Sequence, residues 1–270
     1  MRNSVLTPIA SMIVLSVALW TAALPPARAA DIPVDLELIL AVDVSRSMDI
    51  DEQQLQRDGY VAALTHPDVV AAVTGGRHGK IALSYIEWAG TETQYKVLDW
   101  RVIDGPASAE AAAAELARAP IQRFRGTSIS TSLAFVAPQF DNNGYDATRR
   151  VIDISGDGPN NIGIPVVLAR EAVLGAGITI NGLPIMIKQA SGFAAISDLD
   201  VYYEDCVIGG FGAFLVVVRS ADQFAEAIRR KMVMEIAGRE PRIIPAAATT
   251  VAARVDCLIG EKLRQQWERE

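Results

Sequence analysis

Five side chains in this sequence offer only oxygen donors and stand where loops could gather them. They are Asp43, Ser45 and Ser47 in Asp43-Val44-Ser45-Arg46-Ser47, Thr127 in Gly126-Thr127, and Asp157 in Ser155-Gly156-Asp157-Gly158. Carboxylates and hydroxyls, with no histidine or thiolate among them, suit a hard divalent cation. Mg2+ favours octahedral oxygen ligation and keeps several waters, so it is the first expectation, with Mn2+ or Ca2+ behind it. Only Asp43 and Asp157 carry negative charge, so such an ion would be just neutralised and could still attract an anionic oxygen from outside. An external carboxylate is the natural further ligand, which favours a binding site over a closed structural ion. The same residue types are also common in turns and helix caps, and their placement in the fold separates the two cases.

The surrounding sequence supplies that placement. Residues 34–42 form a nearly continuous apolar run, as in a central strand buried on both faces, and the run ends at Asp43. Asp49 with Glu52 gives a capping-box start to a helix carrying Leu55, Ala62 and Ala63, with Pro67 punctuating its end. Residues 80–88 and 94–102 read as a hairpin of strands. Helices are expected over 107–118, from Gly126-Thr127 through Phe135, and over 165–174. A second short apolar strand, 149–155, stops at Gly156-Asp157-Gly158. Strands are also expected over 177–185 and 212–218. Ser220 and Gln223 would cap a last amphipathic helix bearing Phe224, Ile228, Met232 and Ile236, closed by Gly238. The alternation predicts an α/β fold: a doubly wound, mostly parallel sheet with helices on both faces and one antiparallel edge strand. Ligands of such sheets gather outside the carboxyl ends of the strands, which is where Asp43 and Asp157 fall.

The chain begins Met1-Arg2-Asn3, is apolar from Ile9 to Ala23 and reaches Pro25-Pro26-Ala27-Arg28-Ala29, the pattern of a secretory signal cleaved after Ala29. The apolar run is shorter than the ~20 residues that span a bilayer, so no stable membrane anchor is expected after cleavage. The predicted division is a signal peptide at 1–29, an α/β domain at 30–240 and a tail at 241–270. Losing 1–29 removes Arg2 and Arg28 and no acid, taking the formal net charge from −7 to −9. An anionic surface repels nucleic acid phosphates and acidic lipids, so neither is an expected partner. Export, to the bacterial periplasm or beyond, meets an oxidising compartment. There the two cysteines, Cys206 and Cys257, are expected to pair and tie the tail to the domain.

Asp-x-Ser-x-Ser after an apolar strand, followed by Thr127 and then Asp157, resembles the von Willebrand factor A domain. The metal ion-dependent adhesion site of that family uses DxSxS, a threonine and a later aspartate. The resemblance covers most of the chain beyond the leader. It implies that Ser45, Ser47 and Thr127 supply hydroxyl oxygens, and that Asp43 and Asp157 bind directly or through water. Ser155-Gly156-Asp157-Gly158 departs from the Thr-Asp-Gly frequent in that family. Glu87-Trp88-Ala89-Gly90, Cys206-Val207-Ile208-Gly209-Gly210 and the surroundings of Cys257 resemble an uncharacterised family of exported bacterial A-domain-like proteins. The expected function is a metal-dependent protein-binding module whose unknown partner offers an Asp or Glu carboxylate.

Glu87, Trp88, Arg123, Arg125 and Asn160 are candidates for the rim of that site. Arg123 and Arg125 would draw an acidic partner or form a solvated loop; Trp88 suits core packing as well as an interface; Asn160 and Asn161 suit turn chemistry. His66 and His78 accompany no nucleophile motif, and neither a P-loop nor a G-x-S-x-G elbow is present. The expectation is therefore a protein that is not an enzyme. The alternative is a metal-dependent phosphoryl hydrolase using Asp43, although Ser45 stands where a dehalogenase-like phosphatase has its second acid.

Overall fold

The computed structural model describes residues 30–188, 195–238 and 254–270. The expected signal peptide at 1–29 and residues 241–253 of the expected tail lie outside them. In chain order the elements are β1 (Ile32–Val34), β2 (Glu37–Asp43), α1 (Ile50–Thr65), α2 (Pro67–Thr74), β3 (Ile81–Trp88), β4 (Gln94–Ile103), α3 (Pro106–Arg118) and α4 (Ile129–Val136). There follow β5 (Tyr145–Ala147), β6 (Arg150–Gly156), α5 (Val166–Gly175), β7 (Thr179–Pro184), α6 (Leu199–Tyr202), α7 (Phe224–Ala237) and α8 (Ile259–Trp267).

The main sheet runs β4-β3-β2-β6-β7, with β4 antiparallel at one edge and every other pairing parallel. All of β2 is buried, and its alternation divides the core. Leu38, Leu40 and Val42 join Tyr60 of α1, Ala112 of α3 and Ile228 of α7 on one face. Ile39 and Ala41 join Ile129 and Leu133 of α4 and Val173 of α5 on the other. Helices thus cover both faces, as the doubly wound reading requires.

Two local expectations are corrected. Residues 212–218 form no strand; they touch β7 through the isolated bridges Gly182↔Leu215 and Ile185↔Val218. Gly182 N donates to Phe214 O and Val218 N to Pro184 O, but between them Pro184 has no N–H to continue the ladder. Likewise Ser220 and Gln223 do not cap α7 with their side chains, because Ser220 opens a 3-10 turn, Ala221–Gln223, ahead of the helix. At α1 the expected capping box forms: Asp49 Oδ1 accepts from Glu52 N and Asp49 N donates to Glu52 Oε2, both at 2.9 Å. The paired cysteines form the disulfide Cys206–Cys257.

Candidate metal centre

Because β2 and β6 are parallel neighbours with Val42 opposite Ser155, Asp43 and Asp157 leave the sheet at the same carboxyl edge. Ser45 N donates to Asp43 Oδ1 at 2.6 Å, which folds the Asp-x-Ser turn back on itself. Ser45 Oγ and Ser47 Oγ are 2.7 Å apart, and Ser47 Oγ donates to Asp157 Oδ1 at 2.6 Å. The threonine loop is carried in by backbone pairing: Phe124 N donates to Val44 O and Arg46 N to Phe124 O. Asn161 then clamps it, accepting from Thr127 N on Oδ1 at 3.1 Å and donating its own N–H to Thr127 O at 2.9 Å. Thr127 lines the same cleft as Ser45 and Ser47. All five predicted donors are brought to one place.

The electrostatics are uncompensated. Asp43 is wholly buried, and its Oδ2 has no hydrogen-bond partner. Burial, and after it the charge of Asp157, pushes its carboxyl well above the usual range. Burial also raises Asp157, to about 6, against the donated Ser47 hydroxyl. Lys188 stands at the edge, but it pairs with Asp49 at 3.0 Å and Glu52 at 2.5 Å. Nowhere among the described residues do three His, Cys, Asp or Glu side chains gather as a metal-holding group, so here the hydroxyls must supply the remaining donors. Two mutually repelling carboxylates, Asp43 buried with an orphaned oxygen and Asp157 half-buried, in a ring of hydroxyls fit a hard divalent cation.

A supporting layer holds this ring, and most of it carries no sequence motif. Gln53 Nε2 donates to Ser45 O at 3.2 Å and Gln56 Nε2 to Ser155 Oγ at 2.8 Å, both from the inward face of α1. Gln53, Gln56 and Arg57 follow helical spacing, a signal readable in the sequence, but polar residues give no hint that the face is buried. The hydroxyl of Tyr203 is buried with no hydrogen-bond partner. Gly156 explains the departure from Thr-Asp-Gly: a Cβ there would lie 2.9 Å from Tyr203 Oη and 3.0 Å from Asp43 Oδ2.

The expected rim is mostly support instead. Glu87 is 2% exposed and ion-paired to Arg57 of α1. Trp88 is 0% exposed and belongs to the core cluster behind the sheet. Both end β3, whose side chains are all buried because helices cover both faces. Asn160 is also buried, with Oδ1 accepting from Ser130 N and Nδ2 donating to Ile164 O; it shapes the aspartate loop. Arg123 donates to Arg46 O at 3.0 Å, bracing the loop. Arg125 is exposed and lines the cleft.

Solved structures share this architecture at low sequence identity. Proximal thread matrix protein 1 from the mussel byssus, solved with a zinc-occupied MIDAS motif, superposes with a TM-score of 0.56 at 15% identity, over 77% of this chain and 49% of that one. The pilus adhesin SpaC from Lactobacillus rhamnosus GG gives 0.54 at 13%, over 75% and 30%. A von Willebrand factor type A protein from Catenulispora acidiphila gives 0.52 at 14%, over 75% and 43%. The chain therefore spans less than half the length of these neighbours, and what it shares with them is the von Willebrand factor A fold. No curated protein matches the sequence. A family profile matches residues 33–240, and the chain belongs to that family, described as protein of unknown function DUF1194.

Proposed function

We propose that this protein is an exported, metal-dependent adhesion-type module that binds a partner protein through a divalent cation, with Mg2+ the first candidate. The observation that carries the proposal is the buried, unpartnered Oδ2 of Asp43 beside a second raised carboxylate, in a ring whose other donors are hydroxyls. Asp43, Ser45, Ser47, Thr127 and Asp157 would hold the ion directly or through water. Bound there, Mg2+ would offer a coordination position to an external Asp or Glu carboxylate. Two of the structural neighbours, by their descriptions a MIDAS protein with bound zinc and a pilus adhesin, support the metal and the adhesive role. The disulfide supports an oxidising location, and no helix among the described residues is long and apolar enough to cross a membrane.

The proposed module is not an enzyme. His66 caps α2, accepting from Asp68 N, and His78 N donates to Asp35 ahead of β2. Both lie toward the amino edge of the sheet, away from the five donors, so neither can serve there as a general base. Titration calorimetry with Mg2+ on wild type and Asp43→Ala, joined to capture of cell-envelope proteins in Mg2+ and in EDTA, tests the proposal. Saturable Mg2+ binding lost in the variant, with partners retained only in Mg2+, is the expected result. The same partners held equally in EDTA and by Asp43→Ala would overturn it. Metal-dependent turnover of a phosphoester panel, lost in Asp43→Ala, would instead favour the hydrolase.

A further inference from the structure

Three of the five donors, Ser45, Ser47 and Thr127, line a cleft of about 490 Å3, a size typical of ligand pockets. One wall is the Ser45-Arg46-Ser47 loop and another the Arg125-Gly126-Thr127 loop; the third is α8, through Arg264 and Trp267. This wall comes from the far end of the chain, yet it is firmly seated. The Cys206–Cys257 disulfide anchors the residues just before it. Glu261 Oε1 accepts from Asn160 Nδ2 at 2.7 Å. Gly260 packs so closely that a Cβ there would lie 2.1 Å from Asn160 O. Arg264 Nη1 in turn lies about 4.0 Å from where a side chain on Gly126 would begin.

The chemistry of the cleft is unlike that of the chain as a whole. In a protein of formal charge −7, three arginines, Arg46, Arg125 and Arg264, line one opening. Arg264 is partly balanced by Glu268 at 2.8 Å, while Arg46 and Arg125 are exposed. Beside them Trp267 is 56% exposed. Arg and Trp are the residue types that dominate binding energy at protein interfaces, and guanidinium forks match carboxylates.

Resting on the proposed metal-dependent binding, we infer that this cleft selects an acidic peptide segment of the partner carrying at least two carboxylates. One reaches the ion at Ser45, Ser47 and Thr127; another pairs with the arginines. The C-terminal helix is therefore half of the recognition surface and not an appendage. A ligand with one carboxylate satisfies the metal and leaves the arginines unmatched.

The test uses the disulfide-bonded protein in Mg2+ and three fluorescein-labelled pentapeptides: Gly-Glu-Leu-Glu-Gly, the same with the second Glu replaced by Gln, and the same with both replaced. Fluorescence anisotropy should show the diacid binding roughly tenfold more tightly than the monoacid, the factor expected for about 1.4 kcal/mol. In the double variant Arg125→Gln/Arg264→Gln, and in Gly260→Val, which displaces α8, that preference should disappear. Calorimetric Mg2+ affinity should stay at the wild-type value in Arg125→Gln/Arg264→Gln, a readout that also reports an intact domain. Equal binding of diacid and monoacid by wild type, or a preference retained in both variants, overturns the inference while Mg2+ binding stands. If wild type takes up no Mg2+, it is the metal-dependent function that has failed.

Discussion

Two acids four residues apart, Asp153 within strand β6 and Asp157 just past its end, have opposite surroundings. Asp153, in mid-strand, has Lys231 Nζ of α7 2.5 Å from its Oδ1, and the same lysine pairs with Glu235 one turn on. Asn181 Nδ2 also donates to Glu235. Asp157, just beyond the strand end, shares its site with Asp43 and hydroxyls, and no side-chain cation is buried there. The interior cluster contains a buried counter-charge, Lys231, shared between its two acids. The edge cluster is two carboxylates held together without one. A close pair of carboxylates without a buried cation is what separates a binding site from a structural ion pair, and the two places can be made to respond in opposite directions to the same kind of change.

The largest effect is expected from taking the lysine away. Lys231→Met leaves Asp153 and Glu235 facing each other in the core, and removing one partner of a buried pair costs on the order of 3–5 kcal/mol. Denaturant unfolding at pH 8 should show that loss, and it should shrink at pH 5, where the carboxyls can take up protons. The edge cluster should do the reverse. In EDTA, Asp157→Asn removes one of two repelling charges from a group whose carboxyl is raised from 3.8 to about 6. Above pH 7 that corresponds to a gain of up to about 3 kcal/mol, at 1.36 kcal/mol per unit. The same variant should lose its stabilisation by Mg2+. An Asp157→Asn protein that is destabilised in EDTA would erase the contrast between the clusters.

Titration separates them further. A carboxyl raised in the folded state holds its proton where the unfolded chain has released it. Its contribution is therefore present at low pH and lost as pH rises between the two values. For Asp157 the window runs from 3.8 to about 6; for Glu235, raised by burial and then by Asp153, it runs from 4.5 to about 7. In EDTA, thermal melts should show stability falling from about pH 4 to about pH 7. Saturating Mg2+ should compensate the part due to Asp157, because the ion binds the ionised carboxylate and gains affinity as pH rises. The part due to Glu235 should remain. A Mg2+ shift independent of pH across this range would place the ion elsewhere.

The central strands, and the gathering of Asp43, Ser45, Ser47, Thr127 and Asp157 at one edge, were legible because they depend on short-range signals. An apolar run that ends in Asp43, and another that ends at Gly156-Asp157, state both the buried strands and the edge where they stop. The rim was illegible because burial is decided by distant elements. Glu87 sits at a strand end, as a rim residue would, yet Arg57 from α1 meets it inside the protein. Arg264 and Trp267 lie late in the chain and join the cleft through a disulfide, the Glu261–Asn160 hydrogen bond and the packing of Gly260. Pro184 was visible in the sequence, but its effect on the 212–218 ladder required knowing which strand was its neighbour.

The smallest effect tests how rigid the edge cluster must be. Gln56 Nε2 holds Ser155 Oγ at 2.8 Å, one residue before Gly156 and two before Asp157. Gln56→Leu keeps the side-chain bulk and removes the donor, so stability should fall by about 1 kcal/mol, the usual net value of one hydrogen bond. If the ring is preorganised for a cation, Mg2+ affinity should fall as well, by less than about tenfold, as with other outer-layer supports of metal ligands. The corresponding loss at the interior cluster, Asn181→Leu, removes the amide that donates to Glu235 and should change stability without changing the Mg2+ isotherm. An isotherm altered equally by both substitutions would mean that the two clusters are energetically one network along β6. An isotherm altered by Gln56→Leu alone would mean that the strand isolates them, and that the edge site is tuned from α1.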